Sequence, residues 1–234
     1  MRDALRLPVL PSQCGICHGW GWSMLCDCCI DRFAQRRPRC RRCALPVPDT
    51  VEVCGRCLIA PPSYDLAIAA LDYAAPWDGL IARFKFHSAL DLCAALAERL
   101  LEAAQAAKLP PPGLIVPTPL SPRRLRERGY NQAWELARRL ARRLGCAASP
   151  DLLLRVEDRP PQLSLPREER LANVRNAFAV DPLRRGELQG CDVTVVDDVM
   201  TTGATAEEIT GVLRRAGVAR VQIWTLARTP APGE

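Results

Sequence analysis

Residues 63–234 alternate apolar strands with amphipathic helices, and residues 1–62 carry a regular run of cysteine pairs. The alternation predicts an α/β domain with a mainly parallel sheet flanked by helices. The cysteine run predicts a small N-terminal zinc-ribbon module. A third observation, the strand-turn-helix VTVVDDVMTTGAT at residues 193–205, predicts a ligand site at the carboxyl end of a parallel strand.

The cysteine module comes first in the chain. Nine of the twelve cysteines precede residue 58. They read Cys14-x2-Cys17, Cys26-x2-Cys29, Cys40-x2-Cys43 and Cys54-x2-Cys57, with pair starts 12, 14 and 14 residues apart. A C-x2-C turn aims two thiolates at one point, so two such turns complete a tetrahedral zinc site. The first two pairs then form one unit and the last two a second. Cys28 sits beside Cys29, and either could be the ligand. Four thiolates leave no open coordination position, so both sites are expected to be structural. A disulfide framework would need an oxidising compartment. The N-terminal MRDALRLPVLPSQC has no apolar core with a small-residue cleavage site, so a cytoplasmic protein is expected. The stretch holds little apolar material, and metal binding is expected to supply much of its folding free energy. Trp20, Trp22 and Phe33 lie near the ligands, where such aromatics more often belong to a core than to a stacking platform. Cys93, Cys146 and Cys191 stand alone and are expected to be buried small hydrophobes.

After the linker IAPPSY, LAIAALDY (66–73) reads as a strand. From Trp77 to about Ala107, apolar residues recur at threes and fours (Leu80, Ile81, Phe84, then Leu92, Leu96, Leu100, Leu101), which predicts helix. LPPPG ends it, because proline cannot continue a helix. LIVPTPL (114–120) is a short apolar strand. Asn131 to Leu144 reads as a helix with Ala133, Leu136, Ala137, Leu140 and Leu144 on one face and arginines on the other. LLLRV (152–156) and NAFAV (176–180) have strand character, and the polar, proline-broken residues 157–176 between them read as a mobile loop. VTVVD, a helix over about 204–216 and ARVQIWTLA (219–227) close the chain as a β-α-β unit.

The net charge is +6, and arginine supplies 30 of the 32 basic residues. Residues 121–145 hold eight Arg and two Glu, so this segment alone carries a net charge equal to the whole chain's. Such a stripe suits phosphate or nucleic acid, with a solvated helix face as the other reading. The longest apolar stretches are broken by charge, so no membrane span is expected.

Asp197 and Asp198 admit three readings. An ATPase acid would require G-x4-G-K-[ST], but neither of the two lysines, Lys85 and Lys108, follows a glycine. No G-x-G-x-x-G follows a strand either. A direct metal pair is disfavoured because adjacent strand residues point to opposite faces, so the two acids converge only if the strand ends between them. The third reading uses every residue. Carboxylates at a strand's carboxyl end accept hydrogen bonds from a vicinal diol. The turn Thr201-Thr202-Gly203-Ala204-Thr205 opens a helix whose free N–H groups suit a phosphate. Together they describe a ribose-5-phosphate site.

VVDDVMTTGAT resembles the signature of type I phosphoribosyltransferases, with Thr194 a polar residue where an apolar one is usual. A narrower resemblance spans almost the whole chain. The ComF family, phosphoribosyltransferase-like proteins with an N-terminal double zinc ribbon, carries R-G-[FY]-N-Q, matched by Arg128-Gly129-Tyr130-Asn131-Gln132. It also carries Q-x2-L-x4-R-x2-N, matched by Gln162, Leu165, Arg170 and Asn173, with Phe178 after it. Cys54-Gly55-Arg56-Cys57 before Pro61-Pro62, and Leu80-Ile81 with Phe84-Lys85-Phe86, are similar to it too.

This resemblance implies a type I phosphoribosyltransferase-like core over residues 63–234 behind a double zinc ribbon at 1–62. It implies that Asp197 and Asp198 bind ribose hydroxyls and that Thr201, Thr202, Gly203, Ala204 and Thr205 cradle the 5-phosphate. The turn at 117–120, with Thr118, sits at the family's pyrophosphate loop. Arg123, Arg124 and Arg128 would face the leaving pyrophosphate, and Gln162, Arg167 and Arg170 belong to a loop that closes over the site. Asp197, Asp198 and Arg128 are the candidates for a catalytic role. The implied cofactors are two structural zinc ions, and magnesium carried with phosphoribosyl pyrophosphate. The implied partners are that compound or a related ribose phosphate, single-stranded DNA, and competence or recombination proteins. Three functions stay open: a phosphoribosyltransferase-like protein linked to DNA uptake or processing, a non-catalytic single-stranded-DNA-binding adaptor on the same fold, and a nucleotide-salvage transferase.

Overall fold

The computed structural model describes residues 11–156 and 177–230. Its centre is a five-stranded, wholly parallel sheet. The strands are β3 (Leu66–Asp72), β4 (Leu114–Pro117), β5 (Ala147–Ala148), β8 (Asp192–Met200) and β9 (Arg220–Arg228). Their order across the sheet is β3-β9-β8-β4-β5.

Both faces are covered, as a parallel sheet requires. On one side lie α3 (Trp77–Phe86), α4 (Cys93–Ala106) and α6 (Gln132–Leu144). Their Leu80, Leu96, Leu100, Leu136 and Leu140 pack on Val196, Trp224 and Leu226 of the sheet. On the other side α7 (Ala204–Arg215) sets Ile209, Val212 and Leu213 against Val193, Val195, Val221 and Ile223. The period-2 alternation of β9, with Val221 and Ile223 to one layer and Trp224 and Leu226 to the other, builds two cores from one strand.

The helical stretch expected from Trp77 to about Ala107 is two helices. The chain breaks at His87 and Ser88, where Ser88 has φ +52°, and restarts through a 3-10 turn at Leu90–Leu92. The apolar recurrence already lapses between Phe84 and Leu92, and the break falls in that gap. A helix the periodicity did not announce, α5 (Pro122–Arg128), starts with Ser121 accepting from the Arg124 amide and Pro122 in its first turn. The strands at LLLRV and NAFAV form, but as an antiparallel ribbon outside the central sheet, β6 (Leu153–Arg155) with β7 (Phe178–Val180). Of the isolated cysteines Cys93 is fully buried, while Cys146 and Cys191 are only partly so.

Residues 11–60 contain a short hairpin, β1 (Ser12–Gln13) with β2 (Trp20–Gly21), and two short helices, α1 (Asp27–Phe33) and α2 (Gly55–Ile59). This part is packed into the α/β core. Leu25 is buried in the same cluster as Trp77, Leu80 and Leu92. The Trp77 indole N–H donates to the Phe33 carbonyl at 2.8 Å, and Arg39 bonds Asp72 at 2.7 Å. No helix among the described residues is long and apolar enough to cross a membrane.

Candidate functional site

The sheet order creates a switch point. From β4 the chain moves outward to β5, whereas from β8 it moves the other way to β9. Ligands in open α/β sheets bind where that reversal leaves a crevice at the strands' carboxyl ends. Here β4 pairs with β8 only as far as Pro117 opposite Val196, so residues 197–200 run on past the end of their neighbour. A cavity of about 660 Å³ opens beside them, lined by Asp197, Asp198, Thr205, Thr118, Lys85 and the basic face of α5.

The strand does not end at the acids, as the sequence reading required if the two were to converge; it continues to Met200. Both acids still line one cavity, because the flank of β8 is open there. Alternation carries Asp198, like Val196, toward the α3 face, and there it meets Lys85. Lys85 Nζ lies 2.8 Å from Asp198 Oδ1. Asp198 is 4% exposed, and its second oxygen, Oδ2, is buried with no hydrogen-bond partner among the described residues. The pair of charges is therefore half neutralised. Asp197 Oδ1 accepts from the Asp198 amide at 2.9 Å. Burial, and then the Asp198 carboxylate beside it, push Asp197 up to about 7 against the pull of Lys85, the Asp198 amide and Thr118.

The opposite wall is basic. Arg123, Arg124 and Arg128 of α5 line the cavity, together with Gln132 at the start of α6. The R-G-Y-N-Q segment is the joint between these helices. Gly129, at φ +82°, turns the chain out of α5, and Asn131 caps α6 by accepting from the Ala133 and Trp134 amides. The Asn131 amide group also donates to the Thr118 carbonyl at 3.1 Å, and the Tyr130 hydroxyl donates to the Phe84 carbonyl. One motif thus fixes α5, α6, the turn after β4 and the end of α3 around the same cavity. Arg128 donates to Gln132 and stacks over Phe86 at 5.0 Å. The basic stripe at 121–145 divides in two. Its first part faces the cavity, while on α6 Arg138 and Arg139 pair with Glu135 and Arg143 pairs with Glu98.

Across from α5, Gly203 precedes α7 at φ +87°, and the Thr202 hydroxyl accepts from the Ala204 amide at 3.3 Å. Thr205 reaches the cavity wall, and Thr201, Thr202, Gly203 and Ala204 form the turn leading to it. This turn is held from beneath by Arg228, which is 2% exposed. Its guanidinium donates to the Met200 carbonyl at 3.0 Å, to the Thr201 carbonyl, and to the Cys43 carbonyl at 2.9 Å.

The cysteines gather into two groups, Cys14, Cys17, Cys26, Cys29 and Cys40, Cys43, Cys54, Cys57, with the sulfurs of each group within 4.8 Å of one another. Cys17 Sγ and Cys26 Sγ are 3.7 Å apart, as are Cys43 Sγ and Cys54 Sγ. A zinc tetrahedron with bonds of about 2.3 Å has sulfur–sulfur edges of about 3.8 Å, so both groups fit that ion. Cys29 belongs to the cluster and is buried, while Cys28 is exposed and outside it. Against their burial, backbone amides draw Cys14 down to about 6 and Cys40 down to about 7, so each cluster contains one thiol predisposed to ionise.

No family model matches the chain. It is 36% identical over 231 residues to the DNA utilization protein YhgH of Salmonella typhi, a match covering 94% of this chain and 99% of the relative. It is also 36% identical over 208 residues to competence protein F of Haemophilus influenzae, covering 87% of this chain and 90% of that one. The chain belongs to the ComF family. Among solved structures it is similar to the allosteric regulatory enzyme of purine biosynthesis, at 20% identity and a TM-score of 0.42, over 62% of this chain and 30% of that chain.

For this ComF protein the sequence had marked the acids, Thr118, Thr205 and the α5 arginines, and the fold brings these together. Gln162, Arg167 and Arg170 lie outside the described residues. Sequence reasoning missed Lys85, Phe86, Gln132 and Arg155 as cavity residues. Gln132 and Lys85 stood inside motifs already noted, and Lys85 had one further signal: it is one of two lysines in an arginine-rich chain. Arg155 had none, since its position depends on the β6–β7 ribbon. The expectation that the aromatics near the cysteines belong to a core is reversed for Trp20 and Trp22, which are 73% and 74% exposed.

Proposed function

We propose that this chain binds phosphoribosyl pyrophosphate, or a related ribose phosphate, with magnesium, and that it acts in the handling of DNA. The observation that carries the first part is the buried Asp198 Oδ2, without a hydrogen-bond partner among the described residues, at the switch point beside Asp197 and opposite Arg123, Arg124 and Arg128. A buried carboxylate oxygen left unsatisfied is unfavourable unless something arrives to bond it, and a ribose hydroxyl is a donor of the right kind. Thr201 to Thr205 and the first amides of α7 suit the 5-phosphate. The three arginines suit the pyrophosphate, which they can grip with charge-assisted bonds. The only groups of three or more metal-ligating side chains among the described residues are the cysteines. Magnesium would arrive with the ligand and would neutralise charge on its pyrophosphate. Each cysteine cluster is assigned one structural zinc.

If transfer follows, the bond from ribose C1 to the pyrophosphate oxygen breaks and its electron pair leaves with pyrophosphate. An acceptor nitrogen then bonds C1 and loses its proton to solvent. No protein nucleophile is needed; positioning and the α5 charges suffice. The link to DNA is drawn from the names of the relatives, which concern DNA utilization and competence.

Calorimetry with phosphoribosyl pyrophosphate and magnesium tests the reading. Wild type is expected to bind, and Asp197→Ala with Asp198→Ala is expected to abolish binding while zinc content stays at two. Binding that survives the double substitution overturns it. Release of labelled pyrophosphate on adding a purine or pyrimidine base would assign a salvage-type transferase; its absence with every base favours a ligand-binding adaptor.

One observation favours a DNA-contacting surface on the same chain. The exposed Trp20 and Trp22 share the cysteine-rich region with RRPRCRR at residues 36–42, which has five arginines. Aromatic platforms beside basic residues bind single strands by stacking and counterion release. Trp20→Ala with Trp22→Ala is expected to weaken oligonucleotide binding about tenfold. An affinity independent of salt would exclude backbone contact.

A further inference from the structure

We infer that Lys85 is a positioning residue of the acid pair: it fixes Asp198 through one carboxylate oxygen and leaves the other unbonded for a ribose hydroxyl. This rests on the ribose-phosphate reading above and adds to it a residue more than a hundred positions away in sequence.

The geometry is specific. Helix α3 is anchored by Trp77, Leu80, Ile81 and Phe84, all buried, and it stops at Phe86. Tyr130 bonds the Phe84 carbonyl, which fixes the last turn against the R-G-Y-N-Q joint. Lys85, adjacent to that anchor, is 18% exposed and directs its ammonium to Asp198 Oδ1 at 2.8 Å. Lysine is seldom buried unless paired, and here the pairing is with a carboxylate that is itself almost wholly enclosed. Asp197 and Arg128 also act electrostatically on this pair, and Arg123, Arg124 and Arg155 line the same cavity.

The choice of lysine is informative. The chain uses arginine at 30 of its 32 basic positions, yet this one is lysine. A guanidinium is a planar fork that engages both oxygens of a carboxylate, whereas an ammonium is a compact point charge. Arginine at position 85 would occupy Oδ1 and Oδ2 together. Lysine satisfies Oδ1 and leaves Oδ2 as it is found, buried and without a hydrogen-bond partner among the described residues. A purely structural counter-ion would be served by either residue; an acid that must keep one oxygen for a ligand is served only by lysine.

The test compares Lys85→Arg and Lys85→Met with wild type, titrating ribose 5-phosphate by calorimetry and inorganic pyrophosphate as a control for the α5 wall. Lys85→Arg keeps the charge and is expected to keep the melting temperature. It is expected to weaken ribose 5-phosphate binding about tenfold, the loss of one hydrogen bond to a charged group. Pyrophosphate affinity is expected to stay unchanged. Lys85→Met is expected to lose ribose 5-phosphate binding at least as strongly; if it does not fold, Lys85→Arg decides alone. Ribose 5-phosphate binding by Lys85→Arg at the wild-type level overturns the inference and leaves the ribose-phosphate reading standing. Failure of wild type to bind ribose 5-phosphate or phosphoribosyl pyrophosphate removes that reading itself.

Discussion

The two cysteine clusters share a geometry and differ in attachment. The first, around Cys14 to Cys29, is joined to the α/β body by apolar packing: Leu25, with Ile16, Met24 and Ile30, lies on the core that contains Trp77, Leu80 and Leu92. The same region turns Trp20 and Trp22 outward. The second, around Cys40 to Cys57, is tied in by a polar link. Arg228 spans from the Cys43 carbonyl to the carbonyls of Met200 and Thr201, the residues between the acid pair and the α7 turn. Four thiolates around one divalent ion leave a net charge of about −2, a counter-charge for a buried guanidinium. Burial lowers the Arg228 pKa, and Cys43 opposes that shift. One cluster is thus a platform fastened to the body. The other is part of the floor under the candidate site. Identical metal chemistry says nothing about which is which; the contacts beyond the sulfurs do.

The most direct way to break this comparison is to remove the clusters one at a time. Cys40→Ser with Cys43→Ser is expected to lose one zinc and to weaken ribose 5-phosphate binding by more than about tenfold, because the turn loses its support. Cys14→Ser with Cys17→Ser is expected to lose one zinc and keep binding within about threefold. Equal effects on ligand affinity would erase the distinction. Metal analysis and calorimetry on the same samples read both quantities.

A smaller perturbation keeps both metals and cuts the link. Arg228→Met removes the side-chain donor to the carbonyls of Cys43 and Thr201 and leaves that of Met200 with only the Thr229 amide, and the loss of a buried hydrogen-bonded cation costs about 3 kcal/mol. For a chain of this length that corresponds to a fall in Tm of roughly 6–12 °C, with zinc content unchanged. A shift below about 2 °C would mean that the contact is incidental.

The mildest test separates the acids from both clusters. Asp197 is held up at about 7 in the fold, above the ordinary carboxylate value, so the folded chain holds a proton that the unfolded chain has released. Its contribution to stability is therefore greatest in acid and is lost as pH rises toward and through 7. Wild-type Tm is expected to decline between about pH 4 and 7 by this contribution, and Asp197→Asn is expected to flatten that part of the slope. The slope should survive Cys14→Ser with Cys17→Ser, since the strongest influences on Asp197 are its burial, Asp198, Lys85 and Thr118. A slope equal in wild type and Asp197→Asn would place the titration elsewhere.

Much of this fold was legible from periodicity. The strands at 66–72, 114–117 and 192–200, the α6 face and the closing β-α-β unit follow from alternation and threes-and-fours recurrence. Where the reading ran long, at His87 and Ser88, the apolar pattern had already lapsed. Helix α5 escaped because its exposed arginines leave no apolar stripe to find; its cap and its proline were the only signals. The acids, the glycine turn and the cysteine pairs were readable because their chemistry is local: C-x2-C and D-D-x3-T-G each bring their groups together within a few residues.

Sequence alone therefore determined the parallel α/β class, the pairing of the cysteines into two groups and the location of the acid pair, while the choice of Cys29 over Cys28 waited for the fold. Each is a pattern whose physics acts over a turn or a strand. Tertiary structure decided which charges meet. Lys85 reaches Asp198 only because α3 ends against Tyr130, and Arg228 reaches Cys43 only because β9 runs out beneath the 200–201 turn. Burial then gives these contacts their weight, since a charge removed from water must be answered by whatever the fold brings within about 3 Å.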